Sequence, residues 1–292
     1  TLNVPGADLK NIFTLRSQDD ADLIIKSIKT AGKVVIVGSS FIGLEAAYSL
    51  GERNLDITVV GMERVPFEHV FGEKIGTMFR TAHEKHGTHF KLERTVSGFE
   101  GAEKVKTVIL DDGQRLDADL VLVAIGVQPV TDYLRGLDLL EDGSIKVDGF
   151  FRAGKDVYAA GDIATFPDWH TGLGVRIEHW RTAQQHGRYA AHNMAGKKSG
   201  FRSVPFFWTM QVGLSLRYVG HAKEWDEIMV NGDVAKQDFI AFFIKNNQVH
   251  AAAGVGHDRE MDAVEELMRL KNMLPPAALR KQPLDLLSHL NK

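Results

Sequence analysis

The sequence predicts an α/β fold that runs into an α+β C-terminal part, and three observations carry that expectation. A continuous β-branched run, KVVIVG, leads through a glycine-bounded turn into the helical stretch SSFIGLEAAYSLGERN and then into a second strand, DITVVG. That is one βαβ unit of the usual size, with a first strand suited to burial on both faces of a parallel sheet. Beyond the linker GKKSG at 196–200 the pattern changes to β-rich segments separated by turn residues. At 292 residues, 44% hydrophobic and 25% charged, the chain has globular composition and length for about two domains.

The elements follow in order. The turn pair Pro5-Gly6 precedes NIFTLRS, and Ser17 with acidic residues after it marks a helix start. In DDADLIIKSIKT, Ala21, Ile24, Ile25 and Ile28 recur at helical spacing. After the βαβ unit, residues 73–86 read as a helix ending at Gly87. From Val105 the segments VKTVIL, DDGQ and RLDADLVLVAIG read as a hairpin feeding an apolar strand that ends at Gly126, ahead of Pro129. A short strand, DVYAAGD, precedes a loop rich in Gly, His and Trp and a helix from about Ile177 to Ala195. The C-terminal part carries SLRYVGHA, EIMVNG and DFIAFFIKNNQVHAAAGVG, with a turn at Asn246-Asn247, then the helix MDAVEELMRLKNM and a Pro-rich end. Domain boundaries are expected near 145 and 197.

Composition removes several classes of function. Thirty-five basic and 38 acidic residues give a net charge of −3, and the cations are scattered, against a nucleic-acid footprint. The longest apolar runs, 120–127 and 239–244, fall short of the roughly 20 residues a bilayer requires. With no cysteine, the sequence holds no disulfide, no thiolate metal site and no CxxC redox pair. Electron chemistry in this chain therefore requires a bound organic cofactor. The chain opens at Thr1 with no targeting pattern, which suggests a fragment or a processed chain.

The strongest local signal is VVIVGSSFIGLEAA. A glycine turn between a buried strand and a helix aims backbone N–H groups and the positive helix end at one point, which suits a pyrophosphate. Gly38 makes the turn, Gly43 lets helix and strand approach, and Ser40 stands where the middle glycine of G-x-G-x-x-G is expected. Gly38, Ser40, Phe41, Ile42 and Gly43 are the candidate cofactor-binding residues here, with Gly126 at the end of a later strand. The acidic residue expected after the second strand is represented by Glu63, with Arg64 beside it. Glu63 favours a free ribose and Arg64 a 2′-phosphate, so the choice between NADH and NADPH is open. His83, His86 and His89 do not share one helix face if the helix ends at Gly87, and no metal site is expected there.

GSSFIGLEAA, AAGDIA, IEHWRTAQQHGRYAAHNMAG and VPFFWTMQVGLSLRYVG, in this order, resemble the pyridine nucleotide-disulfide oxidoreductase superfamily, in the branch of apoptosis-inducing-factor-like flavoproteins and ferredoxin reductases. The resemblance implies a glutathione-reductase-like architecture with two dinucleotide-binding domains and a C-terminal interface domain. Residues 1–17 would then be a remnant of the FAD-domain crossover, 18–145 the NAD(P)-binding domain, 146–196 the second FAD segment and 197–292 the interface domain. The first FAD segment has no counterpart, so the sequence is expected to be the larger part of a longer polypeptide.

Further roles follow from the resemblance. Gly161 and Asp162 end a strand where a carboxylate accepts a hydrogen bond from a flavin ribityl hydroxyl. Glu178, His179 and Trp180 lie against the flavin and nicotinamide rings, Trp208 is an aromatic near the flavin, and Glu45 stands near the nicotinamide. Glu45, His179 and Trp180 are thus the candidate catalytic residues. Read without the family, Asp162 is a helix N-cap, the tryptophans are core or interface residues, and Glu45 is a solvated helix acid. The implied cofactors are FAD and NAD(P)H, and the implied partner is an external electron acceptor such as an iron–sulfur protein, a quinone or oxygen. Exposed bases at Lys197, Lys198, Arg202, Arg280 and Lys281 either attract an acidic electron carrier or form a solvated surface. The resemblance also allows a homodimer. The competing reading is a non-catalytic dinucleotide-binding module.

Overall fold

A computed structural model describes residues 2–281 and 284–290. The chain divides into two compact units, Thr1–Gly126 with Met210–Leu214, and Val127–Thr209 with Ser215–Lys292.

The first unit is built on a five-stranded parallel sheet. Its strands are β1 (Ile12–Phe13), β2 (Lys33–Val37), β3 (Asp56–Val60), β4 (His89–Lys91) and β8 (Leu120–Val123), in the order β1-β8-β2-β3-β4. The β-branched run does what its composition requires: Val34, Val35, Ile36 and Val37 are buried, with Val35 opposite Val121 on one side and Thr58 on the other. Helix α1 (Gln18–Ser27) starts in a capping box, the Ser17 hydroxyl accepting from the Asp20 amide while the Asp20 carboxylate accepts from the Ser17 amide. Helix α2 (Phe41–Gly51) buries Gly43, Leu44, Ala47 and Leu50, a stripe at helical spacing.

In the first unit two elements differ from the sequence reading. Helix α3 spans Glu68–Lys85 rather than 73–86, with non-helical backbone at Gly72 (φ 77°, ψ 172°). Its first turn is held by the Phe71 amide donating to the Phe67 carbonyl and by burial of both rings, and the glycine then redirects the chain. The segment RLDADLVLVAIG is two strands. β7 (Arg115–Asp117) stays in a small antiparallel sheet with β5 (Val96–Glu100) and β6 (Thr107–Leu110), whereas β8 joins the parallel sheet. Asp119 marks the break, its carboxylate accepting from the Gly32 and Lys33 amides at 2.9 and 3.1 Å and tying the start of β2 beside β8. Only the four buried residues of β8 are apolar enough for the double-sided position.

The second unit holds β9 (Ile145–Lys146), β12 (Ala164–Pro167) and β13 (Gly174–Val175) in one small sheet, and β10 (Arg152–Gly154) paired with β11 (Val157–Tyr158) in another. A single 3-10 turn, Gly161–Ile163, follows β11, so the strand expected over DVYAAGD is shorter than its apolar run. Helix α4 is Trp180–Met194. The expected start at Ile177 moves because His179 is extended and caps the helix, its Nδ1 accepting from the Arg181 amide at 3.3 Å.

A five-stranded sheet, ordered β14-β15-β18-β17-β16, follows: β14 (Phe206–Gln211), β15 (Leu214–Gly220), β16 (Glu227–Asp233), β17 (Asp238–Lys245) and β18 (Gln248–Val255). Asn246 and Asn247 both have positive φ, 50° and 59°, as a two-residue hairpin turn requires. Helix α5 (Asp258–Arg269) packs Met261, Val264, Leu267 and Met268 into one core with Ile240, Phe242 and Ala252. A short helix, α6 (Pro276–Leu279), adds Leu279 to that core.

Candidate functional site

In the first unit the candidate residues gather at the C-terminal ends of β2, β3 and β8, the edge of an open parallel sheet where ligands bind. Gly38 sits at φ 118° and donates its amide to the Val60 carbonyl at 2.8 Å. A Cβ there would lie 2.2 Å from the Ala124 oxygen, and one on Gly43 would lie 2.0 Å from the Gly38 oxygen. Both positions therefore exclude every side chain, and the helix backbone rests directly on the turn. Ser40 is the N-cap of α2, but its hydroxyl accepts no helix amide, and no acidic residue stands in the first turn. A helix start shaped in this way fits a pyrophosphate, whose charge the helix dipole and first-turn amides stabilise.

Around this turn Phe41 packs its ring on Phe67 and Phe71 at 4.8 and 5.9 Å. Ile42 and Glu45 line an apolar cavity of about 360 Å³ with Ile24, Ile25 and Ala46, and the Glu45 side chain reaches solvent. Gly126 has φ 102° and open space where a side chain would be, at the exposed end of the loop after β8.

Glu63 and Arg64 have different environments. The buried Ser39 hydroxyl donates to Glu63 Oε2 at 2.8 Å, holding that carboxylate beside the glycine turn. Arg64 turns to Glu68, donating its backbone amide at 3.0 Å and its Nε at 2.9 Å, with Glu73 at 3.7 Å. The hydrogen-bonded guanidinium beside it holds the Glu68 carboxyl below the usual range. The three histidines considered for a metal diverge. His83 is buried and meets Gln211 at 2.7 Å, whereas His86 and His89 face Glu52 and Asp56.

In the second unit the candidates form one patch. Gly161 has φ 80° and opens the 3-10 turn that carries Asp162, whose side chain is exposed. The Asp162 carbonyl accepts from Arg176, which also pairs with Glu178 at 2.5 Å and Asp142 at 2.8 Å. His179, Trp180 and Trp208 make an aromatic platform: the His179 ring lies 5.7 Å from Trp180 and 5.6 Å from Trp208, and the indoles stand edge-on at 5.9 Å. Trp180 is 62% exposed, a large apolar surface left to solvent. Burial, with Arg181 close by, lowers the His179 pKa. With Nδ1 taken by the Arg181 amide, neutral His179 carries its proton on Nε2. An exposed carboxylate on a glycine turn beside an aromatic face fits a ribityl chain and the flat ring it bears. Among the described residues only the Gly38–Gly43 turn joins a sheet strand to a dinucleotide-type helix, so the fit on this side covers the ring end of a flavin.

Sequence reasoning missed Ser39, Arg176 and Phe67. Ser39 lies inside the quoted motif, and a hydroxyl next to the turn glycine was its only signal. Phe67 has φ 58° with its ring buried, which no pattern foretells.

Comparison with known proteins agrees with this geometry. Residues 1–187 match the family model described as pyridine nucleotide-disulphide oxidoreductase, and residues 206–290 match the reductase C-terminal model. Apoptosis-inducing factor 3 of Homo sapiens is 34% identical over 273 residues, covering 92% of this chain and 45% of that protein. Rhodocoxin reductase of Rhodococcus erythropolis is 30% identical over 288 residues, covering 98% and 67%. Among solved structures, the ferredoxin reductase for the CYP199A2 system of Rhodopseudomonas palustris superposes with a TM-score of 0.89 at 26% identity, covering 98% of this chain and 71% of that one. The chain thus spans under half of the first relative and about two thirds of the second. With the glycine turn, the Gly161–Asp162 turn and the C-terminal sheet all inside matched segments, the chain belongs to the pyridine nucleotide-disulphide oxidoreductase family.

Proposed function

We propose that this chain supplies the pyridine-nucleotide site and the ring end of the flavin site of an FAD-dependent NAD(P)H oxidoreductase that passes electrons to an external acceptor. One observation carries the reading: a single cysteine-free chain presents both a side-chain-excluding glycine turn at a helix start and an exposed carboxylate on a second glycine turn beside two tryptophans. The turn amides and the α2 N-terminus hold the nucleotide pyrophosphate. Glu63 accepts from the adenine ribose hydroxyls, and Ser39 fixes its orientation. Because Arg64 is engaged by Glu68 while Glu63 faces the turn, the site favours NADH, since a 2′-phosphate would meet a carboxylate.

On the other side Asp162 accepts from the ribityl chain. His179 offers Nε2–H as a neutral donor, and Trp180 and Trp208 provide faces that exclude water from the ring. Bound flavin would supply two-electron acceptance from reduced nicotinamide and one-electron delivery to an acceptor. The chain's own task is orientation. With no cysteine in this sequence, no disulfide of this chain takes the electrons, which suits delivery to an external acceptor. The ferredoxin reductase and rhodocoxin reductase likenesses support a small iron–sulfur protein in that role, and the exposed Lys197 and Lys198 suit an acidic one. No helix among the described residues is long and apolar enough to cross a membrane.

The test is an anaerobic titration of the chain with FAD, followed by NADH or NADPH. Flavin absorbance at about 450 nm that NADH bleaches at lower concentration than NADPH is expected. A preparation that binds NADH but takes up neither FAD nor riboflavin, which needs only the ring end of the site, would overturn the proposal in favour of a non-catalytic dinucleotide-binding module.

A further inference from the structure

His186 lies in the middle of α4, fully buried, and belongs to no part of the site described above. Its surroundings are unusual for an ionisable side chain. The rings of Phe151, Phe166 and Phe201 stand 4.3, 4.5 and 5.0 Å from its own, centre to centre, and all three are themselves buried. Among the described residues one conventional hydrogen bond reaches the imidazole: the Gly161 amide donates to its Nδ1 at 3.3 Å. Its Nε2 is buried without an oxygen or nitrogen partner. Since Nδ1 accepts, the neutral ring carries its proton on Nε2, among aromatic faces that offer weak N–H···π contact. Burial alone lowers the pKa to about 4 and keeps the acceptor unprotonated near neutrality.

The amide that His186 holds belongs to the residue whose positive φ starts the Asp162 turn. We propose that His186 is a positioning residue for the flavin site: its Nδ1 pins the Gly161 amide and so fixes the direction in which Asp162 presents its carboxylate. Three features support this. The Gly161 backbone is in a left-handed conformation that glycine adopts freely, so the residue does not hold itself there. A Cβ on Gly161 would approach the Ala183 Cβ at 3.4 Å, so the turn already lies on α4 one helical turn before His186. The Phe rings surround the imidazole, and among the described residues the Gly161 amide is its one hydrogen-bond partner.

The inference rests on the flavin reading only for its consequence, and the test keeps the two apart. The first readout needs no flavin. In the chain as it stands, ¹⁵N spectra of the histidine rings should show His186 as the Nε2–H tautomer, with the Gly161 amide protected from exchange. A His186 ring protonated on Nδ1 would overturn the proposal outright, because that nitrogen could not accept. The second readout compares His186→Leu with His186→Gln, whose amide oxygen can replace the acceptor. Leaving the Gly161 amide unpaired in a buried place should speed its exchange about tenfold and weaken FAD binding by a similar factor, with the Gln variant restoring both. Faster exchange with unchanged FAD affinity would remove the positioning role and leave a structural one. Failure of the unmodified chain to bind either FAD or riboflavin would strike the flavin reading itself while the amide and tautomer measurements still decide the His186 contact.

Discussion

The two glycine turns, Gly38 in the first unit and Gly161 in the second, both take a positive φ, 118° and 80°, and are held there by different means. Gly38 is locked by collision: its own backbone and that of Gly43 are packed so closely that an added methyl group would strike a carbonyl oxygen at 2.2 or 2.0 Å. Gly161 is held by attraction, through one hydrogen bond from its amide to a buried imidazole supplied from 25 residues away in sequence. A turn fixed by backbone collision, at Gly38 with the Ala124 carbonyl and at Gly43 with that of Gly38, depends on main chain that no single side-chain change removes. A turn fixed by a distant side chain can be loosened without any change at the turn itself, and its geometry depends on the protonation of its holder.

The most damaging change therefore lies in the first turn. Gly43→Val would force helix from strand at backbone rather than at flexible side chains, and the expected loss is about 3 kcal/mol or more of unfolding free energy. NADH binding should be lost with it. Urea denaturation and an NADH fluorescence titration measure the two effects, and a variant that melts like the parent and keeps its NADH affinity would refute the packing argument.

Next in size is an acid effect that the second turn should show and the first should not. The His186 pKa falls from its ordinary 6.5 to about 4 on folding, because burial disfavours the cation. Between these values the unfolded chain binds the proton and the folded chain does not. Stability is thus fully present above pH 6.5 and declines as pH falls toward 4, by about 3 kcal/mol at most. Rings of phenylalanine and the Gly161 amide face this histidine, and no charged group contributes to the shift. His186→Gln should reduce the pH slope in that window without abolishing it, because burial also lowers the pKa values of His83, His179, His221 and His250. Asp142 titrates in a separate one: Ser144, chiefly, with Arg176 holds its carboxyl at about 2 against an ordinary 3.8, and its contribution is lost only below pH 4. Urea melts at several pH values resolve the two, and an unchanged slope between pH 6.5 and 4 in the Gln variant would contradict the assignment.

How far the sequence could be read follows the same division. KVVIVG, the glycine spacing and Ser17 are local signals, and the strand, turn and capping box appear where the residues dictate. Asn246-Asn247 likewise states its own hairpin. The features that escaped are tertiary. Residues 115–126 carry no mark that Asp119 divides two sheets, and α3 begins earlier than its polar first turn suggests because Phe67 and Phe71 find a core. His186 looks like an ordinary helix residue until the chain brings three phenylalanines around it. Within the candidate site the crowding at Gly38 and Gly43 was legible from steric need, whereas the Ser39–Glu63 contact and the engagement of Arg64 by Glu68 arise only in the folded chain.

A smaller effect should come from Gly161→Ala. Its new methyl group would meet Ala183 at ordinary contact distance, so the cost is conformational, the left-handed backbone at φ 80°, or about 1 to 2 kcal/mol. A thermal melt should therefore place this variant well above Gly43→Val. If the two melted alike, the distinction between collision and attraction would fail.

The smallest effect concerns coenzyme choice. Glu68→Gln should leave the fold of α3 intact but weaken the acceptor that draws Arg64 away from the side proposed to bind the ribose. Both side chains of this pair reach solvent, the Arg64 side chain 60% exposed, so water screens much of their attraction. The released guanidinium should improve NADPH binding by about twofold to threefold and leave NADH nearly unchanged, because Glu63 stays clamped by Ser39. Ser39→Ala should act in the opposite sense, raising the NADH dissociation constant with little effect on NADPH. Competition titrations with the two coenzymes read the ratio directly. If neither substitution moved that ratio, Glu63 and Arg64 would be solvated charges beside the turn, and coenzyme selection would have to come from elsewhere in the first unit.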